Sequence, residues 1–167
     1  MVTQTDDAGR HVLGFERLIE TPRALVWRCW TEPALITRWF TPAPWQTVAC
    51  TLDLRPGGLF HTVMRSPAGE EFPNAGCILE VVPQQRLTWT NAMAPGFAPL
   101  PPETGGAECN RFHFTATIAL ADAGAQTRYT ARVQHADAAG RDRHAAMGFH
   151  EGWGAALDQL VALAKTL

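Results

Sequence analysis

Histidines are the residues of this sequence best suited to proton transfer or metal binding. His61 and His135 each share the alternating phase of apolar neighbours in a predicted strand. His150 falls on the helical face that carries Leu157. Three inward histidines would make a candidate metal or proton-transfer site, but a histidine among apolar neighbours is more often a hydrogen-bonded core residue. The zinc-protease pattern fails because Gly154 stands where its second histidine belongs, so we predict no metal.

A pair of oppositely charged residues is the second candidate. Arg17 alternates in phase with Phe15 and Ile19, which predicts it on the inner face of the first strand. A buried guanidinium without a partner is strongly destabilising. Glu80, in phase with Ile78 in a later strand, is the best acidic partner. The two residues predict either a structural ion pair or a polar anchor for a ligand carboxylate or hydroxyl.

Aromatic residues are numerous and unevenly distributed among types, with 6 Trp and 8 Phe but 1 Tyr. Most of them are expected to fill a core. In a sheet that wraps around one helix, however, the inner ones would also line a cavity and offer flat faces to a planar or aliphatic ligand. The predicted lining consists of Trp39, Phe60, Met64, Trp89, His135, His150, Trp153 and Leu157.

Several classes of function lack support in the sequence. The G-x-S-x-G, P-loop and G-x-G-x-x-G motifs are absent, so nucleophilic, phosphoryl-transfer and dinucleotide chemistry are not indicated, and we predict no cofactor. A net charge of −2 argues against nucleic-acid binding. No apolar run reaches the length of a membrane span, and no signal peptide is evident, which predicts a cytoplasmic protein without membrane insertion. Lys165 is the one lysine among 14 basic residues, typical of GC-rich bacterial coding.

Changes in the hydrophobic period divide the chain into the elements that must position these side chains. Residues 1–10 are predicted to be a flexible N-terminus, and 11–167 a single domain. A strand at 11–20 is followed by a helix that begins at Pro22, after Thr21, and by a second short helix at 33–39. The later predicted strands cover residues 48–54, 59–66, 72–82, 86–92, 111–120 and 127–135.

The two remaining segments are irregular or strongly helical. Residues 94–107 are rich in proline and glycine, which predicts a mobile flap or a functional lid. Residues 138–167 contain no proline and repeat apolar side chains at helical spacing, which predicts one amphipathic helix of about seven turns. The resulting fold class is α+β: a helix-grip fold in which a curved antiparallel sheet of six to seven strands surrounds a long C-terminal helix, with two short helices after the first strand.

The sequence also resembles a known family along nearly its whole length, from about residue 11 to 164. The resemblance lies in Arg17-Leu18-Ile19-Glu20-Thr21-Pro22, Arg38-Trp39-Phe40-Thr41-Pro42, Asp53-Leu54-Arg55-Pro56-Gly57-Gly58-Leu59-Phe60, Arg86-Leu87-Thr88-Trp89-Thr90 and His150-Glu151-Gly152-Trp153. These segments are similar to the Aha1-like family (activator of Hsp90 ATPase homologue 1-like), within the START-like, Bet v 1-like SRPBCC superfamily. The resemblance implies the helix-grip fold, in a superfamily that includes lipid carriers, hormone receptors, cyclases, aromatases and co-chaperones.

Together these observations predict that the protein binds a hydrophobic small molecule in a cavity between the sheet and the C-terminal helix. Two alternatives remain open. One is an enzyme of the cyclase, aromatase or hydrolase kind that uses polar groups of the pocket. The other is a protein-interaction module of co-chaperone type. The sequence leaves open whether the chain forms a homodimer or contacts a chaperone.

Overall fold

A computed structural model describes residues 10–102 and 112–167 of the chain. Segments in which apolar residues alternate form strands, and segments in which apolar residues recur every three or four positions form helices. Seven strands form one antiparallel sheet in the order β1-β9-β8-β5-β4-β3-β2, and β6 and β7 form a separate hairpin. This arrangement confirms the predicted α+β helix-grip fold. The elements are β1 His11–Ile19, α1 Arg23–Thr31, α2 Pro33–Trp39, β2 Gln46–Leu52, β3 Leu59–Arg65, β4 Glu71–Val82, β5 Arg86–Thr90, β6 Met93–Ala94, β7 Ala98–Pro99, β8 Phe114–Ala123, β9 Gln126–His135, α3 Ala138–Ala146 and α4 Phe149–Ala164.

The two short helices after β1 are separated by backbone chemistry that is visible in the sequence. Glu32 ends α1 in an extended conformation (φ −98°, ψ 113°), and Pro33 begins α2. Proline is favoured at the first position of a helix because its missing N–H would have no partner there. The prediction of two short helices is therefore confirmed.

The prediction of a single helix at 138–167 was wrong, because the chain forms two helices there, α3 and α4. Gly148 separates them in the left-handed conformation, with φ 86°. Glycine adopts that conformation without the steric cost of a Cβ. Asp137 caps the start of α3 by accepting a hydrogen bond of 2.7 Å from the backbone N–H of Gly140. Apolar spacing continues across the break, so periodicity alone did not reveal it.

Helix α4 covers the concave face of the sheet. Its inner side chains Leu157, Leu160 and Leu163 are buried, and they belong to one core cluster with residues of the sheet and of α1 and α2. Burial of each such side chain stabilises the fold by about 1.5–3 kcal/mol. The helix is therefore the element that completes the core, as the sequence predicted.

The proline-rich segment begins as a small structured hairpin. The backbone N–H of Gly96, between β6 and β7, donates to the carbonyl of Gly57 at 2.8 Å. The ring of Phe97 lies so close to Gly57 that a Cβ there would come within 3.0 Å of it. The rest of the predicted lid, residues 103–107, lies outside the described residues, as do residues 1–9 of the predicted flexible N-terminus.

None of the helices in the described part of the chain is both long enough and apolar enough to span a membrane.

Candidate functional site

A series of aromatic contacts connects the sheet to α4. Trp89 of β5 lies at its centre, with ring centroids 5.5 Å from Phe60 and 5.3 Å from Trp30. Trp153 of α4 faces Trp89 with an interplanar angle of 8° and a centroid distance of 6.5 Å. Trp39 joins the series through Trp30 at 4.8 Å. Five elements, α1, α2, β3, β5 and α4, thus contribute one residue each to a single aromatic surface, which we call the aromatic wall: Trp30, Trp39, Phe60, Trp89 and Trp153.

Much of the aromatic wall is core. Trp39, Phe60 and Trp89 are each 6% exposed or less. The indole N–H of Trp39 is also occupied, because it donates to the carbonyl of Cys29 at 2.9 Å and so ties α2 to α1. Trp153 differs from these residues because it is only half-buried. It is the member of the wall whose ring remains partly accessible.

Helix α4 packs tightly at its first residue, Phe149, and along its second half, but loosely in between. Ala156, Leu157 and Leu160 are buried, whereas the segment from Gly152 to Ala155 is half-buried throughout. A Cβ built on Gly152 or on Gly154 would meet no atom within 4 Å. Open space therefore borders α4 on both sides of Trp153.

The remaining residues predicted to line a cavity lie apart from this wall or at its margins. Leu157 is a core residue, 1% exposed. Met64 is half-buried and lies opposite Thr47 and Phe72 in neighbouring strands. His150 contacts the ring of Phe149 at 5.0 Å, and its Nδ1 is buried without a hydrogen-bond partner. Ligand contact by any of these residues stays a prediction.

A cleft of about 340 Å³ opens beside the connection between α2 and β2. The side chain of Gln159 fastens this connection to α4. Its Oε1 accepts from the backbone N–H of Ala43 at 2.8 Å, and its Nε2 donates to the carbonyls of Trp39 and Thr41, each at 2.9 Å. The cleft is lined by Thr37, Arg38, Thr41, Ala43, Trp45, Gln46, Thr47 and Gln159, and it includes none of the predicted lining residues.

The predicted pairing of Arg17 with Glu80 was wrong. Arg17 does extend toward α4, but it donates to Asp158 at 2.6 Å and to the carbonyl of Gly154 at 3.3 Å. Glu80 instead pairs with exposed Arg86, which lowers the pKa of its carboxyl group mainly through their hydrogen bond. Neither residue is a buried charge that needs the other.

A β-bulge explains the error at Glu80. Ile78 lies opposite Trp89, but the register shifts after it, so that Glu80 lies opposite Thr88. Trp89 points toward α4, whereas the hydroxyl of Thr88 contacts that of Thr117, on the other face of the sheet. The extra residue of a bulge reverses the alternation beyond it. Ile78 and Glu80 therefore do not share a face.

The inward histidines do not converge as a group of three. His61 follows Phe60, whose ring contacts Trp89, so His61 points to the opposite face of the sheet. His135 is 8% exposed and meets a histidine that the sequence analysis missed. Its Nε2 lies 2.9 Å from Nδ1 of His144, on α3. No apolar repeat marked His144, because only the turn before α3 brings it over the end of β9.

Burial dominates the electrostatics of this histidine pair. It lowers the pKa of His144 to about 3, and the neighbouring His135 contributes in the same direction. The pKa of His135 is also lowered, again mainly by burial. Both rings are therefore neutral near pH 7. In the described residues, no group of three or more histidine, cysteine or acidic side chains is arranged to hold a metal ion.

Comparison with known proteins places this geometry in a wider context. The family described as activator of Hsp90 ATPase homolog 1-like protein matches residues 20–165. The chain is 44% identical in sequence to a protein from Nitrosomonas europaea whose crystal structure is known. The two structures superpose with a TM-score of 0.86, over 96% of this chain and 97% of that one. An AHSA1-like protein from Aeromonas hydrophila, solved by NMR, is 19% identical with a TM-score of 0.67, over 93% and 92% of the two chains. No curated protein sequence matches the chain.

Proposed function

Because the chain belongs to the Aha1-like family (activator of Hsp90 ATPase homologue 1-like), in which the helix-grip fold sets one helix against a concave sheet, we propose that it binds a hydrophobic small molecule between the sheet and α4. One observation carries the proposal: Trp153, half-buried and parallel to Trp89, lies in a helical segment bordered by open space. A flat apolar molecule would bury its surface against these rings.

The two flanks of α4 differ, and the difference favours one side for the ligand. Gly152 shares a flank with Gln159, seven residues later, which is bonded to the connection between α2 and β2. Gly154 shares the other flank with Asp158, where Arg17 of β1 occupies the surface. We place the ligand on the flank of Gly152, because the ion pair of Arg17 and Asp158 lies on the opposite flank.

Exposed aromatic residues at the far end of the sheet support an opening on the same side. Trp45 is 37% exposed and Phe72 40% exposed. Their ring centroids are 5.6 Å apart, and Phe72 lies opposite Met64 in the sheet. An apolar ligand that entered here would pass over side chains that water now contacts. Transfer of that surface out of water contributes about 25 cal/mol per Å².

The test uses Prodan, an uncharged naphthalene dye that fluoresces more strongly when it leaves water. We expect saturable binding in the micromolar range, which corresponds to about 8 kcal/mol. Gly152→Leu should weaken binding at least tenfold, because the new side chain occupies the ligand's space. Gly154→Leu is the matched control. It makes the same change on the other flank of the same helix and should bind within about twofold of the original protein.

Circular dichroism and thermal unfolding of both variants would establish that they fold. Absence of saturable binding to the original protein would refute the proposal and favour a protein-interaction module. Equal affinity of the Gly152→Leu variant and the original protein would likewise refute a site on this flank.

A further inference from the structure

The hydrogen bonds around His135 determine where its proton is. Its Nδ1 lies 3.0 Å from the backbone carbonyl oxygen of His11, and a carbonyl can only accept. Nδ1 of His135 therefore carries the proton, and in the neutral ring Nε2 has the lone pair. The positions of the protons in a histidine pair thus follow from one backbone contact.

The same reasoning extends to His144. Because Nε2 of neutral His135 accepts, Nδ1 of His144, 2.9 Å away, must donate to it. The remaining nitrogen of His144, Nε2, then has an unshared lone pair. In residues 10–102 and 112–167, no hydrogen-bond donor is paired with that atom. The pair therefore presents one hydrogen-bond acceptor with a fixed orientation.

Aromatic rings surround this acceptor. The centroid of the His144 ring lies 4.6 Å from Phe112, 5.8 Å from Phe114, 5.0 Å from Phe149 and 6.4 Å from Trp153. His144, Phe112, Phe114 and Trp153 are each half-buried, so the group is partly accessible from outside. An apolar surface around one polar atom is the usual composition of a small-molecule site.

We propose that Nε2 of His144 accepts a hydrogen bond from the hydroxyl or N–H group of a flat aromatic ligand whose ring packs beside Trp153. The ligand class is that of phenols and hydroxynaphthalenes. This inference rests on the proposed function, because Trp153 belongs to both the aromatic wall and the surroundings of His144.

The chemistry of the pair also excludes one class of ligand. A neutral imidazole lone pair repels a carboxylate oxygen. The charges of Asp137 and Arg141 affect the pKa of His135, whereas burial and the neighbouring His135 lower the pKa of His144. The strong lowering of the pKa of His144, to about 3, keeps the ring uncharged at neutral pH. The site therefore selects neutral donors over anions.

The decisive experiment compares 2-naphthol with 2-methoxynaphthalene, which has the same ring system but no donor. We expect the original protein to bind 2-naphthol about tenfold more tightly, the effect of one hydrogen bond. His144→Phe should keep aromatic packing and lose the preference. His61→Phe, on the opposite face of the sheet, is the matched control and should retain it.

A second measurement does not depend on ligand binding. Long-range ¹H–¹⁵N NMR spectra should show both His135 and His144 protonated on Nδ1, and a proton on Nε2 of His144 would overturn the inference. Equal binding of the two naphthalenes to the original protein, or binding of Prodan without either, would overturn it while leaving the proposed function in place. Failure of Prodan and both naphthalenes to bind would refute the proposed function and, with it, this inference.

Discussion

The buried histidine pair predicts a specific dependence of stability on pH. The pKa of His144 falls from 6.5 in an exposed ring to about 3 in the folded protein. Below pH 6.5 the unfolded chain gains a proton there that the folded protein does not take up. Stability is therefore complete above pH 6.5, falls as the pH decreases, and levels off below about 3. The loss arises because a charged imidazole is unfavourable among the aromatic rings around His144.

The size of the effect follows from the same pKa values. At pH 5 the solution is 1.5 units below the unfolded pKa of 6.5, and each unit is worth about 1.36 kcal/mol. Protonation of His144 in the unfolded chain should therefore lower the free energy of unfolding by about 2 kcal/mol as the pH falls from 7 to 5. That is a large share of the ordinary stability of a domain.

Urea unfolding at pH 7, 6 and 5 measures this cost directly. His144→Phe removes the titrating group while keeping an aromatic ring, so the difference between the two proteins isolates the contribution of His144. The variant should lose about 2 kcal/mol less than the original protein over this interval. Part of the dependence should remain, because the pKa of His135 is lowered as well. Equal pH dependence of the two proteins, or an NMR titration midpoint of His144 near 6.5, would refute the reasoning.

Three further predictions concern the fold. Leu157→Ala should cost about 2–5 kcal/mol in urea unfolding, because Leu157 is 1% exposed, whereas Leu18→Ala at a position 54% exposed should cost under about 0.5 kcal/mol. A small effect at Leu157 would mean that α4 does not complete the core. Gly58→Ala should destabilise by at least about 2 kcal/mol, since its Cβ would come within 2.0 Å of the carbonyl oxygen of Asp53, and an unchanged melting temperature would contradict this close approach. Glu80→Gln should leave the unfolding midpoint unchanged, because its partner Arg86 is exposed, and a large shift would indicate the inward position that the bulge rules out.

Local patterns predicted the elements of this protein well. Alternating apolar residues marked the strands, and Pro33 marked the break between α1 and α2. These features act over a few residues of backbone, so the sequence itself contains them. Burial of Trp89 and Leu157 could be predicted for the same reason, because each lies in phase with apolar neighbours in its own element.

The contacts between segments far apart in the chain could not be predicted from the sequence and were visible only in the tertiary structure. The bulge after Ile78 inserts one residue into the ladder with β5, and this reverses the face of Glu80 although the spacing of the sequence is unchanged. His135 and His144 meet because the chain turns between β9 and α3, and Gly148 then redirects it into α4.

The sequence by itself therefore determined which elements form and which side of most of them is apolar, because those properties depend on neighbouring residues. Only the tertiary structure decided that Arg17 pairs with Asp158 and that His144 lies among Phe112, Phe149 and Trp153. Such contacts depend on the register and packing of segments far apart in the chain. Their energies are set by the whole fold, and no short pattern of residues encodes them.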